Sequence, residues 1–402
     1  MDIQELIENI PYKNKDGSYN KLRHVEESSY EIDESILGDV QQIVTEASEL
    51  PVLDVILTKA VQMGASDIHI LANCPPKCRV DGGLRPMPGY KVMTGDDTRS
   101  ALKITLDEET EKFFDVEGDL DFAYTVSGVG RFRVNLYKQR GTWAGVFRKL
   151  STKIPKATEL GLPQSVVRLN DLKRGLVLVT GPTGSGKSTT LASIIDLINS
   201  SSYRNVITLE DPIEYIHKSK LSNVAQREMG VDSKNFASAL RAALREDPDV
   251  ILVGEMRDFE TISTAITAAE TGHLVFSTLH TMSAVATIDR IVDAFPAEQQ
   301  DQARAQLASC FQGVVSQQLI PKRNGGRVAA FEVMLGNDPI RAVIREGKTE
   351  QLGTYIQNGR NDGMCLMDDY LMLLIQNGLI TVDQGILFSV DKKRFQEKLR
   401  GM

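Results

Sequence analysis

Residues 181–188 hold the densest group of residues able to do chemistry. They read GPTGSGKS and fit the pattern G-x-x-x-x-G-K-[ST], in which backbone N–H groups point at phosphate oxygens and the lysine reaches the β- and γ-phosphates. Glycines suit such a loop because a Cβ would block the approach of the backbone to the phosphates. The hydroxyl of Ser188 can bind Mg²⁺. The residues predicted to bind a nucleotide are Gly181, Pro182, Thr183, Gly184, Ser185, Gly186, Lys187, Ser188 and Thr189.

Three carboxylates, Glu210, Asp211 and Glu214, follow an apolar run that is typical of a strand, and Glu210 and Glu214 are the candidates for chemistry. The carboxyl end of a parallel strand lies at the crevice where open α/β sheets bind ligands. A carboxylate at that place can orient or deprotonate water for attack on phosphorus. The alternative is a solvated turn with Pro212 at its bend.

Glu255 and His280 occupy similar positions after two further apolar runs. P-loop folds place a metal-supporting carboxylate directly after a buried strand, so Glu255 is predicted to take that role. His280 is predicted at the same edge of the sheet, where it could sense phosphate, although a lone histidine is more often structural. The sequence therefore predicts acidic residues and a histidine beside the phosphate loop.

Arginines are frequent in the segment before the loop. Four of them, Arg131, Arg133, Arg140 and Arg148, lie late in that segment. They can be ordinary charges on exposed strand faces. They can also supply the positive charge that a γ-phosphate needs during transfer. The residues alone leave both interpretations open.

The phosphate loop needs a strand before it and a helix after it. Residues 176–179 are apolar, rich in β-branched side chains and bounded by glycines, which predicts a buried strand. After the loop, apolar residues at helical spacing predict a helix through Leu191, Ile194, Ile195 and Ile198. Further predicted strands, each followed by a helix, span 205–209, 250–253 and 274–278. Four such units in succession predict a parallel sheet covered by helices on both faces.

The rest of the chain is assigned to domains by composition and pattern. Residues before position 51 are polar and acidic, apart from helical spacing at 36–47. The next segment combines half-exposed strands with helices, including one predicted over 98–114, as in an α+β module. Beyond residue 296 the pattern is mostly helical, with a hairpin arm at 327–334. The predicted divisions are an extension (1–50), an α+β domain (51–150), a linker (151–174), an α/β core (175–296) and a helical part (297–402).

The composition is that of an ordinary globular protein. Of the 402 residues, 42% are hydrophobic and 25% are charged. No apolar run approaches the roughly 18 residues of a membrane-spanning helix and no signal peptide is evident, so a cytoplasmic protein is expected. The four cysteines do not make a disulfide framework, and Cys74 and Cys78 have no second pair to complete a zinc site. A net charge of −8 argues against extended nucleic-acid binding.

Taken together, these motifs closely resemble those of the PilT-type retraction ATPases of type IV pili, within the secretion ATPase superfamily. Besides the phosphate loop, the resemblance is carried by ASDIH at 65–69, RFRVN at 131–135, and residues 244–258 and 268–273. It implies an α/β fold with a RecA-like P-loop core, an α+β PAS-like amino-terminal domain and assembly into a homo-hexamer. It also implies hydrolysis of ATP with Mg²⁺ to drive pilus retraction in twitching motility.

The resemblance assigns roles to residues already noted. Residues 181–189 are similar to the family's Walker A loop. The other roles it implies are water activation at Glu214 with Glu210 beside it, metal support at Glu255 together with Ser188, the His-box position at His280, and completion of the nucleotide pocket by Arg133 and Arg148.

The resemblance also implies partners. It places the protein at the inner face of the cytoplasmic membrane, against a pilus platform protein, with indirect action on pilin. No four-cysteine zinc insert of the pilus assembly ATPases occurs between Glu255 and His273, which disfavours zinc and the extension motor. A retraction signature, AIRNLIRE, is present as PIRAVIRE at 339–346. The alternatives are a related secretion or DNA-uptake ATPase, an accessory retraction ATPase, a non-hydrolysing nucleotide-gated scaffold, or a DNA motor, which the net charge disfavours.

Overall fold

The computed structural model describes residues 11–13 and 19–21 by their backbone alone, and residues 51–80, 82–150 and 153–400 in full. The helix expected near residues 36–47 lies outside the described residues. Contacts within the chain divide it between Lys149 and Leu150 into two compact units. Among the helices of the described ranges, none is both long and apolar enough to cross a membrane.

The first unit is an α+β unit whose strands pair antiparallel. Strands β1 and β2 form a separate pair, and the other strands form one sheet in the order β5-β4-β3-β8-β7-β6. Its elements are β1 (Pro11–Lys13), β2 (Tyr19–Lys21), α1 (Val52–Gln62), β3 (Asp67–Ile70), β4 (Lys77–Val80), β5 (Gly83–Pro86), α2 (Gly95–Lys103), α3 (Glu108–Glu117), β6 (Asp119–Val126), β7 (Gly130–Gln139) and β8 (Thr142–Lys149).

Alternation along the strands decides which side chains of this unit reach solvent. On β7 the side chains of Phe132, Val134 and Leu136 are fully buried, and Arg133 between them is exposed.

The prediction of one helix over 98–114 is wrong in one respect, because the structure has two helices there. Asp107 separates them. Its side chain accepts hydrogen bonds from Glu109 N and Thr110 N, so it is the N-cap at which α3 begins.

The second unit is an α/β unit. Its elements are α4 (Gln164–Val167), β9 (Gly175–Thr180), α5 (Lys187–Ser201), β10 (Asn205–Glu210), β11 (Asn223–Glu228), α6 (Phe236–Ala243), β12 (Val250–Val253), α7 (Phe259–Glu270), β13 (Leu274–Leu279), α8 (Ala284–Asp293), α9 (Gln300–Cys310), β14 (Phe311–Pro321), β15 (Arg327–Leu335), α10 (Asp338–Glu346), α11 (Leu352–Asn358), α12 (Met367–Gln376), α13 (Val382–Phe388) and α14 (Lys392–Arg400).

One seven-stranded sheet organises this unit, in the order β11-β10-β12-β13-β9-β14-β15. All neighbouring strands are parallel except β15, which pairs antiparallel with β14. Leu176 and Leu178 of β9 pack in a core with α6 to α9, whereas Val177 and Val179 pack in a second core with α5. Burial on both faces explains why the parallel strands are continuous apolar runs. The predicted parallel arrangement of β9, β10, β12 and β13 is confirmed.

Two strands of this sheet were not predicted. The prediction that residues 297–402 are helical apart from an arm at 327–334 is wrong for β14, which lies next to β9. Ser316, Gln317 and Gln318 are buried in β14, and these polar residues interrupt the apolar run that would have indicated a strand. β11 is half-buried at the sheet edge and likewise lacks an apolar run.

Part of the predicted linker belongs to the packed second unit. Residues 164–167 form α4, and a short 3₁₀ turn follows it. Val166 and Leu169 are buried in the same core as α5. The residues from 164 onward are therefore held by packing against the sheet.

Glu332 on β15 holds the starts of two helices. Its Oε1 accepts a hydrogen bond from Ala284 N of α8 at 2.7 Å, and its Oε2 accepts one from Met367 N of α12 at 3.3 Å. The side chain is buried, and burial raises the pKa of its carboxyl. A helix start leaves N–H groups without partners inside the helix, so this carboxyl acts as a cap supplied by the sheet.

We expect Glu332→Ala to lower the melting temperature of the second unit by several degrees. The substitution leaves two buried N–H groups without an acceptor, at a cost of about 1–3 kcal/mol each. Glu332→Gln keeps one carbonyl acceptor and should lie between Ala and wild type in differential scanning calorimetry. An alanine variant that melts with wild type would contradict this role.

Candidate nucleotide-binding and catalytic site

The carboxyl ends of four neighbouring strands make the candidate site. β10, β12, β13 and β9 are adjacent and parallel, so the residues that follow them share one edge of the sheet. Backbone hydrogen bonds join these ends, from Gly254 N to Leu209 O at 2.7 Å and from Gly181 N to Leu279 O at 3.3 Å. The structure thus brings Glu210, Glu255, His280 and the start of the phosphate loop to one edge, as predicted.

The phosphate loop connects β9 to α5, and Lys187 is the first residue of that helix. Its Nζ donates hydrogen bonds to Gly181 O at 2.8 Å and Pro182 O at 3.0 Å. Burial lowers the pKa of Lys187, and the negative charges of Glu214 and Glu255 oppose that change. Both carboxylates therefore act on the lysine of the loop.

Close packing inside the protein, besides access for phosphate, explains why the loop contains glycines. A Cβ on Gly181 would lie 2.2 Å from the backbone oxygen of Gln317, and one on Gly186 would lie 2.7 Å from its Nε2. Around Gly184 a Cβ would meet nothing within 4 Å, and a φ of +77° favours glycine there. Close packing against the backbone of β14 thus requires glycine at 181, and a φ of +91° together with the Gln317 side chain favours glycine at 186. The sequence did not reveal these contacts.

The loop after β10 separates the two candidate carboxylates. Glu210 Oε1 accepts hydrogen bonds from Thr208 Oγ1 at 2.6 Å and from Gln226 Nε2 at 3.0 Å. Burial raises the pKa of Glu210, and these two bonds partly offset the change. Glu214 is only half-buried, and its charge acts on Lys187. Glu210 is therefore occupied within the protein, and Glu214 is the carboxylate better able to act on a ligand.

Two further contacts fix this loop in place. The hydroxyl of Tyr215 lies 3.0 Å from Thr189 Oγ1, so the loop is tied to the start of α5. Ile213 N donates to Glu228 Oε2 on β11 at 3.0 Å. Glu214 lies between these anchored residues.

Glu255 has an arginine and a histidine beside it at its own edge of the sheet. Arg257 Nε lies 2.7 Å from Glu255 Oε1, and His280 Nε2 lies 3.6 Å from Glu255 Oε2. The side chain of Glu255 is only 16% exposed, against 75% for Arg257. A cavity of about 340 Å³ opens beside these residues, and Arg290 of α8 completes its lining. The geometry shows His280 beside a carboxylate.

Arg133 and Arg148 belong to the first unit and are brought together there. They are directly opposite each other on β7 and β8, so their side chains share one face of the sheet. Arg148 Nε donates to Asp67 Oδ1 at 2.8 Å, and Ser66 Oγ donates to Asp67 Oδ2 at 2.7 Å. Burial alone would raise the pKa of Asp67, but these hydrogen bonds and the charge of Arg148 lower it overall. Asp67 is therefore an ionised partner that orients one of the two arginines.

Comparison with known proteins decides the family. The family model described as "Type II/IV secretion system protein" matches residues 44–325, well over half of the chain. The chain belongs to this family. The type IV pilus retraction ATPase PilT of Pseudomonas aeruginosa is 48% identical over 326 residues, which are 81% of this chain and 94% of that protein. A twitching motility protein of Neisseria gonorrhoeae is 43% identical over 330 residues, 82% of this chain and 88% of that protein.

A solved structure in the family extends the likeness to the fold. The crystal structure of the pilus retraction motor PilT with bound ADP matches with a TM-score of 0.82 at 48% identity, and the match covers 87% of this chain and 100% of that chain. The mixed α/β fold is therefore that of this secretion ATPase family. The predicted resemblance to PilT-type retraction ATPases is confirmed.

Several residues at the site were not found by sequence reasoning. Gln226 holds Glu210, Arg257 pairs with Glu255, and Gln317 packs on the phosphate loop. Arg257 had a usable signal, because it follows Glu255 by two residues at the end of an apolar strand. The two glutamines had none, since each meets its partner only through the order of strands in the sheet.

Proposed function

We propose that the protein is an ATPase motor that hydrolyses ATP to drive type IV pilus retraction and twitching motility. The observation that carries this proposal is geometric: the phosphate loop, Glu255 and His280 follow three adjacent parallel strands and share one edge of the sheet. A triphosphate held by that loop would have the carboxylate of Glu255 nearby. The 48% identity to a protein named as a retraction ATPase supports the choice of this motor over other ATPases.

The proposed architecture follows the family. The second unit would be a RecA-like P-loop core, supported by its parallel sheet with the phosphate loop after β9. The first unit would be a PAS-like domain, supported by its antiparallel sheet with flanking helices. The motor would be a homo-hexamer whose arginines come from the first unit and complete each nucleotide pocket.

The proposed ligands are ATP and Mg²⁺. The loop N–H groups, Lys187 and the amino end of α5 would hold the phosphates, as the ADP in the related PilT structure suggests. The hydroxyl of Ser188 and the carboxylate of Glu255 offer the hard oxygen atoms that suit Mg²⁺. When bound, Mg²⁺ neutralises charge on the phosphate oxygens.

We assign the chemical roles by the partners that each side chain already has. Glu214 would orient or deprotonate the attacking water, with Glu210 as a supporting neighbour that is already hydrogen-bonded. Arg133 and Arg148 would neutralise charge on the transferred phosphoryl group. His280, at 3.6 Å from Glu255, would report on the phosphate through that carboxylate.

We expect Asp67→Asn to raise the KM for ATP or lower kcat by about tenfold, because a charge-assisted bond that orients Arg148 is lost. Steady-state phosphate release measures both constants. Asp121→Asn, at an exposed position of β6 in the same sheet, is the matched control and should behave as wild type. Equal kinetics in the Asp67 and Asp121 variants would exclude a role for Asp67 in orienting Arg148.

The two arginines of the retraction signature lie on α10 and have different surroundings. Arg341 is half-buried, and its Nε and Nη2 both donate to Phe311 O of β14 at 3.1 Å. Arg345, one turn further on, is exposed. We propose that Arg341 holds β14 in place and that Arg345 is the one available to a partner.

The proposed location is the cytoplasmic face of the inner membrane, where the motor would act on a platform protein and indirectly on pilin. The test is pilus retraction in cells lacking the gene, complemented with wild type, Lys187→Ala or Lys173→Ala. Lys173 is exposed and serves as control. We expect wild type and Lys173→Ala to restore retraction and Lys187→Ala to fail. Normal retraction in the deleted cells would redirect the proposal to a related secretion or DNA-uptake machine.

A further inference from the structure

The side chain of Gln317 connects β14 to the phosphate loop. Its Nε2 donates a hydrogen bond to Ser185 O at 2.7 Å, and its Oε1 accepts one from Thr190 Oγ1 at 2.7 Å. Only 3% of Gln317 is exposed. Both ends of a buried amide are therefore used, one on the loop and one on the helix that follows it.

The backbone of the same strand also supports the loop. The close approach of Gly181 and Gly186 to Gln317 places both ends of the loop against this one residue. The preceding residue of β14, Ser316, lies 2.8 Å by its Oγ from Thr180 Oγ1, directly before the loop. The strand β14 thus contacts the first and last glycines of the loop, Gly181 and Gly186, and also Thr180, the residue before the loop.

A phosphate loop imposes a requirement that these contacts meet. Its N–H groups must point inward at the ligand, so its carbonyl groups must point away from the ligand. A carbonyl that turns into the protein needs a donor there, because a buried acceptor without a partner is costly. Gln317 supplies the donor for Ser185 O. Because a carbonyl can only accept, the amide nitrogen of Gln317 must face Ser185 O, and the amide oxygen is then the end that accepts from Thr190 Oγ1.

We propose that Gln317 is a positioning residue for nucleotide binding, which fixes the peptide between Ser185 and Gly186 so that the loop N–H groups face the phosphates. The inference rests on the proposed nucleotide site. It gives β14 a function in that site, although β14 belongs to the segment beyond residue 296 where no site residue was predicted.

The test measures ADP affinity by isothermal titration calorimetry of the full chain. Gln317→Met removes both hydrogen bonds at similar size, and we expect the Kd for ADP to rise about tenfold or more. Two controls separate this effect from loss of stability. Val315→Ala removes buried volume on the same strand and face, so it should lower the melting temperature but leave the Kd unchanged. Gln318→Met makes the same chemical change on the opposite face and should also leave the Kd unchanged.

A second pair of variants tests the other hydrogen bond of the amide without altering Gln317. Thr190→Val removes the hydroxyl at constant shape, and we expect the Kd for ADP to rise severalfold because Gln317 Oε1 loses its donor and the amide is no longer held at both ends. Thr190→Ser keeps the hydroxyl and should restore the wild-type Kd. This rescue would not occur if position 190 mattered only through packing.

The outcomes separate the inference from the proposed function. If wild type binds ADP and Gln317→Met binds it within twofold as tightly, the positioning role is overturned and the proposed function stands. If wild type binds ADP but does not hydrolyse ATP, the proposed function is overturned and a weakened Gln317→Met still supports the positioning role. If wild type binds no ADP, both are overturned.

Discussion

The Glu255→Gln variant is expected to release phosphate from ATP about a hundredfold to a thousandfold more slowly than wild type, the range seen when one preorganised electrostatic group is removed. The amide keeps the size of the side chain but loses the charge that would support Mg²⁺. ADP affinity should stay within a few-fold, because Lys187 and the loop N–H groups are unchanged. Phosphate release at saturating ATP and calorimetric titration with ADP measure the two effects.

The control for this variant is Glu260→Gln. Glu260 is an exposed carboxylate at the start of α7 that pairs with Arg241, so the same chemical change there removes a surface ion pair. It should leave turnover unchanged. If Glu255→Gln also retained full turnover, Glu255 would be only the partner of Arg257 and the metal role would be wrong.

The second large effect is expected at Glu214. If it activates the attacking water, Glu214→Gln should lower turnover by about a hundredfold to ten-thousandfold, the range of general base catalysis. ADP affinity should remain near that of wild type, since the amide only removes a charge near Lys187. Phosphate release under single-turnover conditions would measure the hydrolysis step directly.

Glu210→Gln is the matched comparison, because the two carboxylates share one loop. Glu210 already accepts hydrogen bonds from Thr208 and Gln226, so its oxygens are engaged within the protein and are less available to a water molecule than those of Glu214. Its replacement by an amide should therefore cost about tenfold or less in turnover, the scale of one hydrogen bond. A larger loss at Glu210 than at Glu214 would reverse the two assignments.

Local pattern was sufficient for the elements that carry the site. The apolar strands β9, β10, β12 and β13 are buried on both faces, and each has a glycine or proline within two residues of at least one end, so their existence followed from the sequence. Since parallel strands end at one edge, the adjacency of Glu255, His280 and the loop also followed. These inferences did not require knowing how strands that are far apart in the sequence pair in the sheet.

What the sequence did not reveal depends on contacts between distant segments. β14 lies beside β9 although 135 or 136 residues separate their paired positions, and its buried polar residues fit no strand pattern until their partners are known. The bond between Asp67 and Arg148 joins strands 81 residues apart. In both cases one side chain is satisfied by another that only the strand order brings near.

The most direct test of the central claim is steady-state release of phosphate by the full chain with ATP and Mg²⁺, compared with Lys187→Ala. The claim is that carboxylates at neighbouring strand ends act on a triphosphate held by the loop between β9 and α5. It predicts sustained release by wild type and background release by the variant. Release by wild type at the rate of Lys187→Ala, in a preparation that binds ADP, would contradict it.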